Sequence, residues 1–311
     1  MVFRLMKKTF IVVTIILLLI VVFLIIAMFI GSRPIKSNYY NQVDAVGMIE
    51  KKYTNRGEYE VESIKANSNE ELFKEYKIWY PLELEEKADK TYPVVLLVNG
   101  TGVPYTKYGA IFEHLASWGF IVVGNDDKNS ASGKSSSIML NYILSLNEDN
   151  ESIFFGKIDL GNIGISGHSQ GGVGAINAVT SFDNSNIFTS LYTASTTALE
   201  LAQALEWDYD VSKIKIPYFK VAATGKSDAE LIAPLLSLID NYNRVESEQL
   251  TIMGRRKNVE HDQMLTHADG YMTAWFRYTL MNDEEAGQAF SGDVPEILTN
   301  LDNWQDVQIK E

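Results

Sequence analysis

Short apolar segments alternate with amphipathic segments along most of this chain, and that alternation constrains the fold more than any other feature. The apolar run at 92–100 ends at Asn-Gly, and Ile111, Leu115 and Trp118 then recur at the spacing of one helix face. The segments that read as strands are 59–66, 75–84, 92–100, 120–127, 161–167, 187–195, 217–225 and 248–254. Such alternation is typical of a mostly parallel sheet with helices on both faces, so we predict a single α/β domain.

The N-terminal segment has a different character from the rest of the chain. Residues 9–30 carry no charged side chain, and 22 residues are enough to cross a bilayer, which takes about 20. A cleaved signal peptide has a shorter apolar run, so we predict a transmembrane anchor and keep secretion after cleavage as the alternative. Basic residues before the run predict an N-terminus inside the cell. The predicted organisation is a cytoplasmic tip and anchor at 1–30, a tether at 31–56 and an outward-facing domain at 57–311.

The charge and the cysteine count exclude several classes of function. The formal net charge is −13, and all 40 aspartate and glutamate residues follow residue 30. An acidic surface repels nucleic acid, so we exclude a nucleic-acid partner. The chain has no cysteine, which excludes a disulfide, a thiolate metal site and a cysteine nucleophile.

The segment GISGHSQGGVGA at 164–175 carries the strongest candidate for chemistry. Residues 167–171, GHSQG, fit the pattern G-x-S-x-G, which places a serine at the apex of a strained turn between a strand and a helix. The flanking residues predict both elements, and crowding of the backbone at the turn accounts for the glycines. We therefore predict that Ser169 is a nucleophile rather than a serine that only caps the helix.

A serine hydroxyl needs a base, and the chain has four histidines. In enzymes with this turn the chain order is serine, acid, histidine, which leaves His261 and His267. His261 follows the last predicted strand, at the carboxyl end of the sheet, and is the predicted base. The acid is expected after the strand at 217–225. Asp228 and Glu230 both lie there, and we favour Asp228 because it is nearer to the strand end and has the shorter side chain.

A developing oxyanion needs two backbone N–H donors. One donor is expected from Gln170, the residue after the serine, and the other from Thr101 in the loop NGTG at 99–102. His168 adjoins the serine, but its place inside the turn predicts that it shapes the turn or packs beneath it.

Taken together, PVVLLVNGTG, ASWGFIVVGND, GISGHSQGG and IAP resemble the α/β-hydrolase superfamily. Within it the chain is similar to cutinase-like polyester hydrolases, dienelactone hydrolases and platelet-activating-factor acetylhydrolases, over roughly residues 75–280. The resemblance implies an eight-stranded sheet and serine ester hydrolysis without a cofactor. It also implies Ser169 as nucleophile and the amides of Thr101 and Gln170 as the oxyanion hole.

The chain departs from the polyester hydrolases at two places in the site. Their acid lies four residues before the proline of I-A-P, a position that Glu230 occupies here. They carry an aromatic residue after the strand that corresponds to 187–195, whereas Ser195 and two threonines stand here, which argues against binding of an aromatic polyester. Residues 196–217 are too few for a large lid.

The sequence thus predicts a membrane-anchored serine hydrolase that uses Ser169, His261 and Asp228, with Glu230 as the alternative acid, on a small-molecule or polymer ester. The alternatives are an acyltransferase with the same residues and a catalytically inactive binding module at the cell surface. No cofactor or metal is expected.

Overall fold

The computed structural model describes residues 33–87, 89–246 and 248–310 of the chain. The predicted membrane span at 9–30 lies outside these residues. Within them, no helix combines the length and the apolar character that a membrane span needs.

The described chain forms one mixed sheet whose central strands are parallel. The strands are β1 Val61–Asn67, β2 Glu75–Pro81, β3 Tyr92–Val98, β4 Ile121–Asn125, β5 Ile158–His168, β6 Ser190–Ala194, β7 Tyr218–Ala223, β8 Thr251–Arg256 and β9 Trp304–Lys310. Their order is β1-β2-β4-β3-β5-β6-β7-β8-β9. Strands β3 to β8 run parallel, and the outer pairings of β1 with β2, β2 with β4 and β8 with β9 are antiparallel. Each predicted segment overlaps a strand, so the mostly parallel α/β architecture is confirmed.

The prediction of eight strands is wrong, because the described residues form a sheet of nine. The additional strand, β9, pairs with β8 at the edge of the sheet. Its alternation of buried and exposed residues breaks at Asp306, whose φ is +54° and which lies where the register of the pairing shifts. The bulge separates buried Trp304 from the alternating Val307 and Ile309, so no period of two extends over the whole strand.

Helices cover both faces of the sheet, and the side chains of each strand alternate between them. On β3, Val95 and Leu97 pack on one face while Val94 and Leu96 pack on the other. The helices in the described residues are α1 Met48–Thr54, α2 Gly109–Ser117, α3 Lys134–Glu148, α4 Gln170–Thr180, α5 Leu199–Ala204, α6 Leu235–Arg244, α7 Met264–His267, α8 Asp269–Met281, α9 Glu284–Gly287 and α10 Glu296–Thr299. Helices α1, α2 and α8 lie on the first face, and α3, α4 and α5 on the second.

The described part of the predicted tether at 31–56, residues 33–56, contributes to the folded body. Helix α1 buries Glu50 and Tyr53, which are 1% and 0% exposed. The Glu50 carboxylate accepts hydrogen bonds from Trp304 Nε1 at 2.7 Å and Asn300 Nδ2 at 2.9 Å. The packed part of the chain therefore begins before residue 57.

Candidate active site

Ser169 lies at a sharp turn between a strand and a helix at the carboxyl edge of the sheet. Strand β5 ends at His168 and helix α4 begins at Gln170. The backbone of Ser169 has φ 58° and ψ −123°, a conformation that residues other than glycine rarely adopt. A Cβ atom at Gly167 would collide with the Gly171 carbonyl, so the tightness of the turn requires glycine there.

His261 and Asp228 come together from the loops that follow two neighbouring strands. Asp228 follows β7, and His261 begins a short 3-10 turn after β8. The His261 Nδ1–H donates to Asp228 Oδ1 over 2.6 Å. The Asp228 side chain is fully buried, whereas that of His261 is 16% exposed. The imidazole is therefore held from below and remains reachable from solvent.

The Asp228 carboxylate receives two further hydrogen bonds. Its Oδ2 accepts from the Ala223 N–H at 2.8 Å and from the hydroxyl of Ser195. Burial acts to raise the pKa of Asp228, but the hydrogen bonds from His261, Ser195 and Ala223 outweigh it and hold the pKa below its ordinary value. Asp228 is therefore ionised and acts only as an acceptor.

Glu230 is not part of this arrangement. Its side chain is 66% exposed, and its carboxylate lies 4.0 Å from Lys226. Both acids belong to a π-helical turn, Asp228–Ile232, in which the Ala233 N–H donates to the Asp228 carbonyl. The wider turn accommodates additional residues between the acid and the proline of I-A-P, so the structure brings Asp228 to the histidine and leaves Glu230 in solvent.

His168 connects the serine turn to the loop of His261. Its Nε2–H donates to the backbone carbonyl of His261 over 3.0 Å, and the two imidazole rings lie 4.4 Å apart. Because a carbonyl can only accept, Nε2 carries the proton. Burial lowers the pKa of His168 well below its ordinary value, and nearby His261 and Lys107 lower it further, so this histidine is neutral.

The expectation from sequence that His168 packs beneath the turn omitted this contact. The ion pair of buried Lys107 with Asp262 was also not identified from sequence. Lys107 Nζ lies 3.0 Å from Asp262 Oδ1 and so holds the residue that follows His261. The Ser169 hydroxyl makes no hydrogen bond to His261 in the part of the chain that the structure describes.

The two residues predicted as oxyanion donors follow neighbouring strands, Gln170 after β5 and Thr101 after β3. Gln170 is the first residue of α4, so its N–H has no carbonyl partner within the helix. Thr101 is exposed in the loop that follows β3. A Cβ atom at Gly171 would collide with the Val98 carbonyl, which shows how closely the end of β3 lies against the first turn of α4.

His267, the other histidine considered from sequence, lies outside the pair. It is the last residue of helix α7, and its Nδ1 lies 3.0 Å from the carbonyl oxygen of Gln263, which precedes the helix. Across residues 33–87, 89–246 and 248–310, no group of three His, Asp or Glu side chains converges in a way that could hold a metal ion.

Comparison with known proteins gives one family. Residues 48–306 match the family model described as PETase, PET hydrolase-like. The match begins at the first residue of α1, the helix that packs before the predicted domain boundary. The search of curated proteins found no match.

Proposed function

The chain belongs to the PET hydrolase-like family of the α/β-hydrolase superfamily, and from this premise we propose that it is a serine hydrolase that cleaves carboxylic esters through an acyl-enzyme. The observation that carries the proposal is the strained Ser169 at the carboxyl edge of a sheet whose neighbouring loops hold the hydrogen-bonded pair His261–Asp228. A reactive serine, a partly exposed imidazole and a buried carboxylate are the parts that this chemistry needs.

In the proposed reaction the Ser169 Oγ attacks the ester carbonyl carbon. His261 Nε2 takes the hydroxyl proton, and Asp228 keeps the proton of the other nitrogen in place, which fixes the tautomer. The N–H groups of Thr101 and Gln170 stabilise the oxyanion of the tetrahedral intermediate. Collapse of the intermediate breaks the ester C–O bond, and His261 returns the proton to the leaving alcohol. Water, activated by the same imidazole, then releases the acid and restores the Ser169 hydroxyl.

The hydrogen bond between Ser169 and His261 forms as the substrate binds. Catalytic hydrogen bonds are often long or poorly aligned without substrate and tighten in the complex. The contact of His168 with the His261 carbonyl supports this step, because it keeps the base next to the serine turn.

The substrate that we propose is an aliphatic ester of a small molecule or a polymer. Members of this family act on polymer esters. Leu231 and Leu236, on the segment after Asp228, are 61% and 80% exposed, and we propose that they offer apolar surface to an aliphatic substrate. Ser195, in place of the aromatic side chain of the polyester hydrolases, is fully buried and offers no ring for an aromatic acyl group.

We further propose that residues 9–30 hold the domain at the outer face of the cell membrane. Their uncharged length supports an anchor. Extraction of cell membranes with alkaline carbonate tests this: the protein is expected to stay in the pellet, and release into the medium would mean cleavage and secretion.

The deciding experiment compares Ser169→Ala with the wild type on p-nitrophenyl esters of increasing acyl length. We expect the variant to lose turnover and labelling by a fluorophosphonate probe. Ser166→Ala is the matched control, because Ser166 lies in the strand that leads to Ser169 and, among the described residues, its hydroxyl donates only to Met272 Sδ, at 3.5 Å. Turnover by Ser169→Ala at the wild-type rate would refute the proposal.

Two other outcomes separate the alternatives. A wild type that neither hydrolyses esters nor reacts with the probe is an inactive binding module. Transfer of the acyl group to an added alcohol in preference to water identifies an acyltransferase with the same residues.

A further inference from the structure

We propose that Ser195 is a positioning residue of the site, holding the Asp228 carboxylate in the orientation that His261 requires. The proposal rests on the proposed function of the Ser169, His261 and Asp228 group. Ser195 directly follows β6, is fully buried, and its hydroxyl donates to Asp228 Oδ2. Thirty-three positions separate the two residues in sequence.

The backbone of Ser195 has an unfavourable conformation that its neighbours stabilise. Its φ is +47°, in the left-handed region that side chains other than glycine rarely occupy. Its N–H donates to the Val221 carbonyl on β7 at 2.7 Å. The neighbouring strand therefore fixes the turn from which the Ser195 hydroxyl reaches Asp228.

The hydrogen bonds of the carboxylate explain what the hydroxyl contributes. Oδ1 faces His261, and Oδ2 accepts from Ala223 N–H and from Ser195. With the Ala223 N–H as the one donor on Oδ2, the carboxylate is less firmly held against rotation about the Cβ–Cγ bond. Two donors from neighbouring strand ends fix its plane and so fix the direction of Oδ1 towards the imidazole.

Burial of polar groups at this turn does not by itself account for the contact. The next residue, Thr196, is only 6% exposed, yet its hydroxyl has no hydrogen-bond partner within the described residues. A buried hydroxyl here is thus tolerated without a partner, and the bond from Ser195 to Asp228 calls for a separate explanation.

The test replaces Ser195 by alanine and, separately, by glycine. Glycine removes the hydroxyl and also tolerates the positive φ, so the pair separates loss of the hydrogen bond from backbone strain. For both variants we expect kcat to fall about tenfold, the rate equivalent of one hydrogen bond to a charged group, with KM within about twofold of wild type. Ser190→Ala is the control on the same strand. It loses a 2.8 Å hydroxyl contact with Thr279 and is expected to keep the wild-type kcat.

A double-mutant cycle distinguishes positioning from a general structural role. In an Asp228→Ala background, Ser195→Ala is expected to cause no further fall in kcat, because its partner is absent. A wild-type kcat in Ser195→Gly, or an equal fall with and without Asp228, overturns the proposal.

Proton NMR of the His261 Nδ1–H gives a readout that does not depend on turnover. We expect a downfield resonance in the wild type that shifts in Ser195→Ala and Ser195→Gly and is unchanged in Ser190→Ala. If the wild type hydrolyses no ester, the proposed function fails, and this resonance still tests whether Ser195 positions the pair. An identical resonance in all variants contradicts it.

Discussion

The described part of this molecule contains two histidine–aspartate pairs, each with a buried aspartate, that hold their histidines differently. In the pair at the carboxyl edge of the sheet, His261 Nδ1 lies 2.6 Å from Asp228. In the second pair, which contacts Tyr39, Thr54 and Asn55, His114 Nδ1 lies 2.8 Å from Asp269. A short contact between an imidazole and a carboxylate is thus common to both and does not by itself mark a catalytic site.

The second nitrogen of each imidazole separates the two pairs. His114 Nε2 lies 3.1 Å from the Thr54 carbonyl and 2.9 Å from the Asn55 carbonyl, and its side chain is 1% exposed. Within the described residues the Nε2 of His261 makes no hydrogen bond, and its side chain is 16% exposed. An imidazole can act as a base only where its second nitrogen can accept a proton. The His261 pair meets this condition, and the His114 pair does not.

The charge of the second pair follows from the same contacts. Burial acts to lower the pKa of His114, but Asp269 and the two backbone carbonyls outweigh it, and the pKa is raised. Because the Asp269 carboxylate and the two backbone carbonyls only accept hydrogen bonds, both nitrogens of His114 donate, as those of an imidazolium do. The Tyr39 hydroxyl also donates to Asp269, so the pair ties the part of the chain around Tyr39 to helix α8. The His261 pair thus leaves one imidazole nitrogen open to accept a proton, whereas the His114 pair uses both nitrogens to hold separate parts of the chain together.

Replacing the two histidines one at a time should give the greatest difference in kcat between the pairs. His261→Ala is expected to lower kcat about 10⁶-fold, because no base then takes the Ser169 proton. His114→Gln is expected to keep kcat within about twofold per folded molecule. Steady-state kinetics on a p-nitrophenyl ester, with active sites counted in the wild type by fluorophosphonate labelling, measures both.

The comparison fails if the two variants behave alike. A folded His114→Gln protein that has lost kcat by a hundredfold or more would place the second pair in the reaction. Circular dichroism of each variant separates that result from unfolding.

The next effect distinguishes the two candidate acids. Asp228→Asn is expected to lower kcat about 10⁴-fold, because an amide in place of the carboxylate favours the wrong tautomer of His261. Glu230→Gln serves as the matched control on the same turn and is expected to keep kcat within about twofold, since its side chain is in solvent. Kinetics at pH 8 checks both variants, and a larger loss in Glu230→Gln than in Asp228→Asn would reverse the assignment.

A third effect concerns stability rather than rate. Asp269→Asn leaves the His114 imidazolium buried without its counter-charge, so we expect the free energy of unfolding to fall by about 3 kcal/mol. The activity of the protein that stays folded is expected to be unchanged. Urea unfolding followed by tryptophan fluorescence measures the loss. A change below about 0.5 kcal/mol would mean that the pair does not hold the part of the chain around Tyr39.

Most of the fold could be predicted from sequence because it depends on local periodicity. The central strands are continuous apolar runs, and the turn at Ser169 has a five-residue pattern of its own. Strand β9 was missed because its bulge at Asp306 breaks the period. Helix α1 has no clear pattern in sequence, because its seven residues, MIEKKYT, include a glutamate whose burial depends on distant contacts such as that with Trp304.

The strand–turn–helix geometry at Ser169 was predictable from sequence, whereas the contacts that support the neighbouring side chains were less so. Sequence alone favours Asp228 but keeps Glu230 as an alternative, because the π-helical turn changes the spacing to the proline. The contacts of Ser195 with Asp228 and of His168 with His261 join residues 33 and 93 positions apart. No local pattern encodes such contacts, since they arise where separate strand ends meet in the folded sheet.

The pH dependence of stability at the His114 pair is expected to be weaker than the effects above. It reflects only the part of the unfolding free energy that depends on protonation of His114. The folded pKa of His114 is raised above the unfolded value of about 6.5. The stability that it contributes is therefore fully present below pH 6.5 and is lost as the pH rises through the folded pKa.

We expect the unfolding free energies of wild type and His114→Gln to differ most at pH 5 to 6 and to converge on the alkaline side. His168→Gln is the counterpart, because the pKa of His168 is lowered: there the wild type loses stability relative to the variant as the pH falls below 6.5. A constant difference between wild type and His114→Gln from pH 5 to 9 would show that His114 is not the charged partner of Asp269.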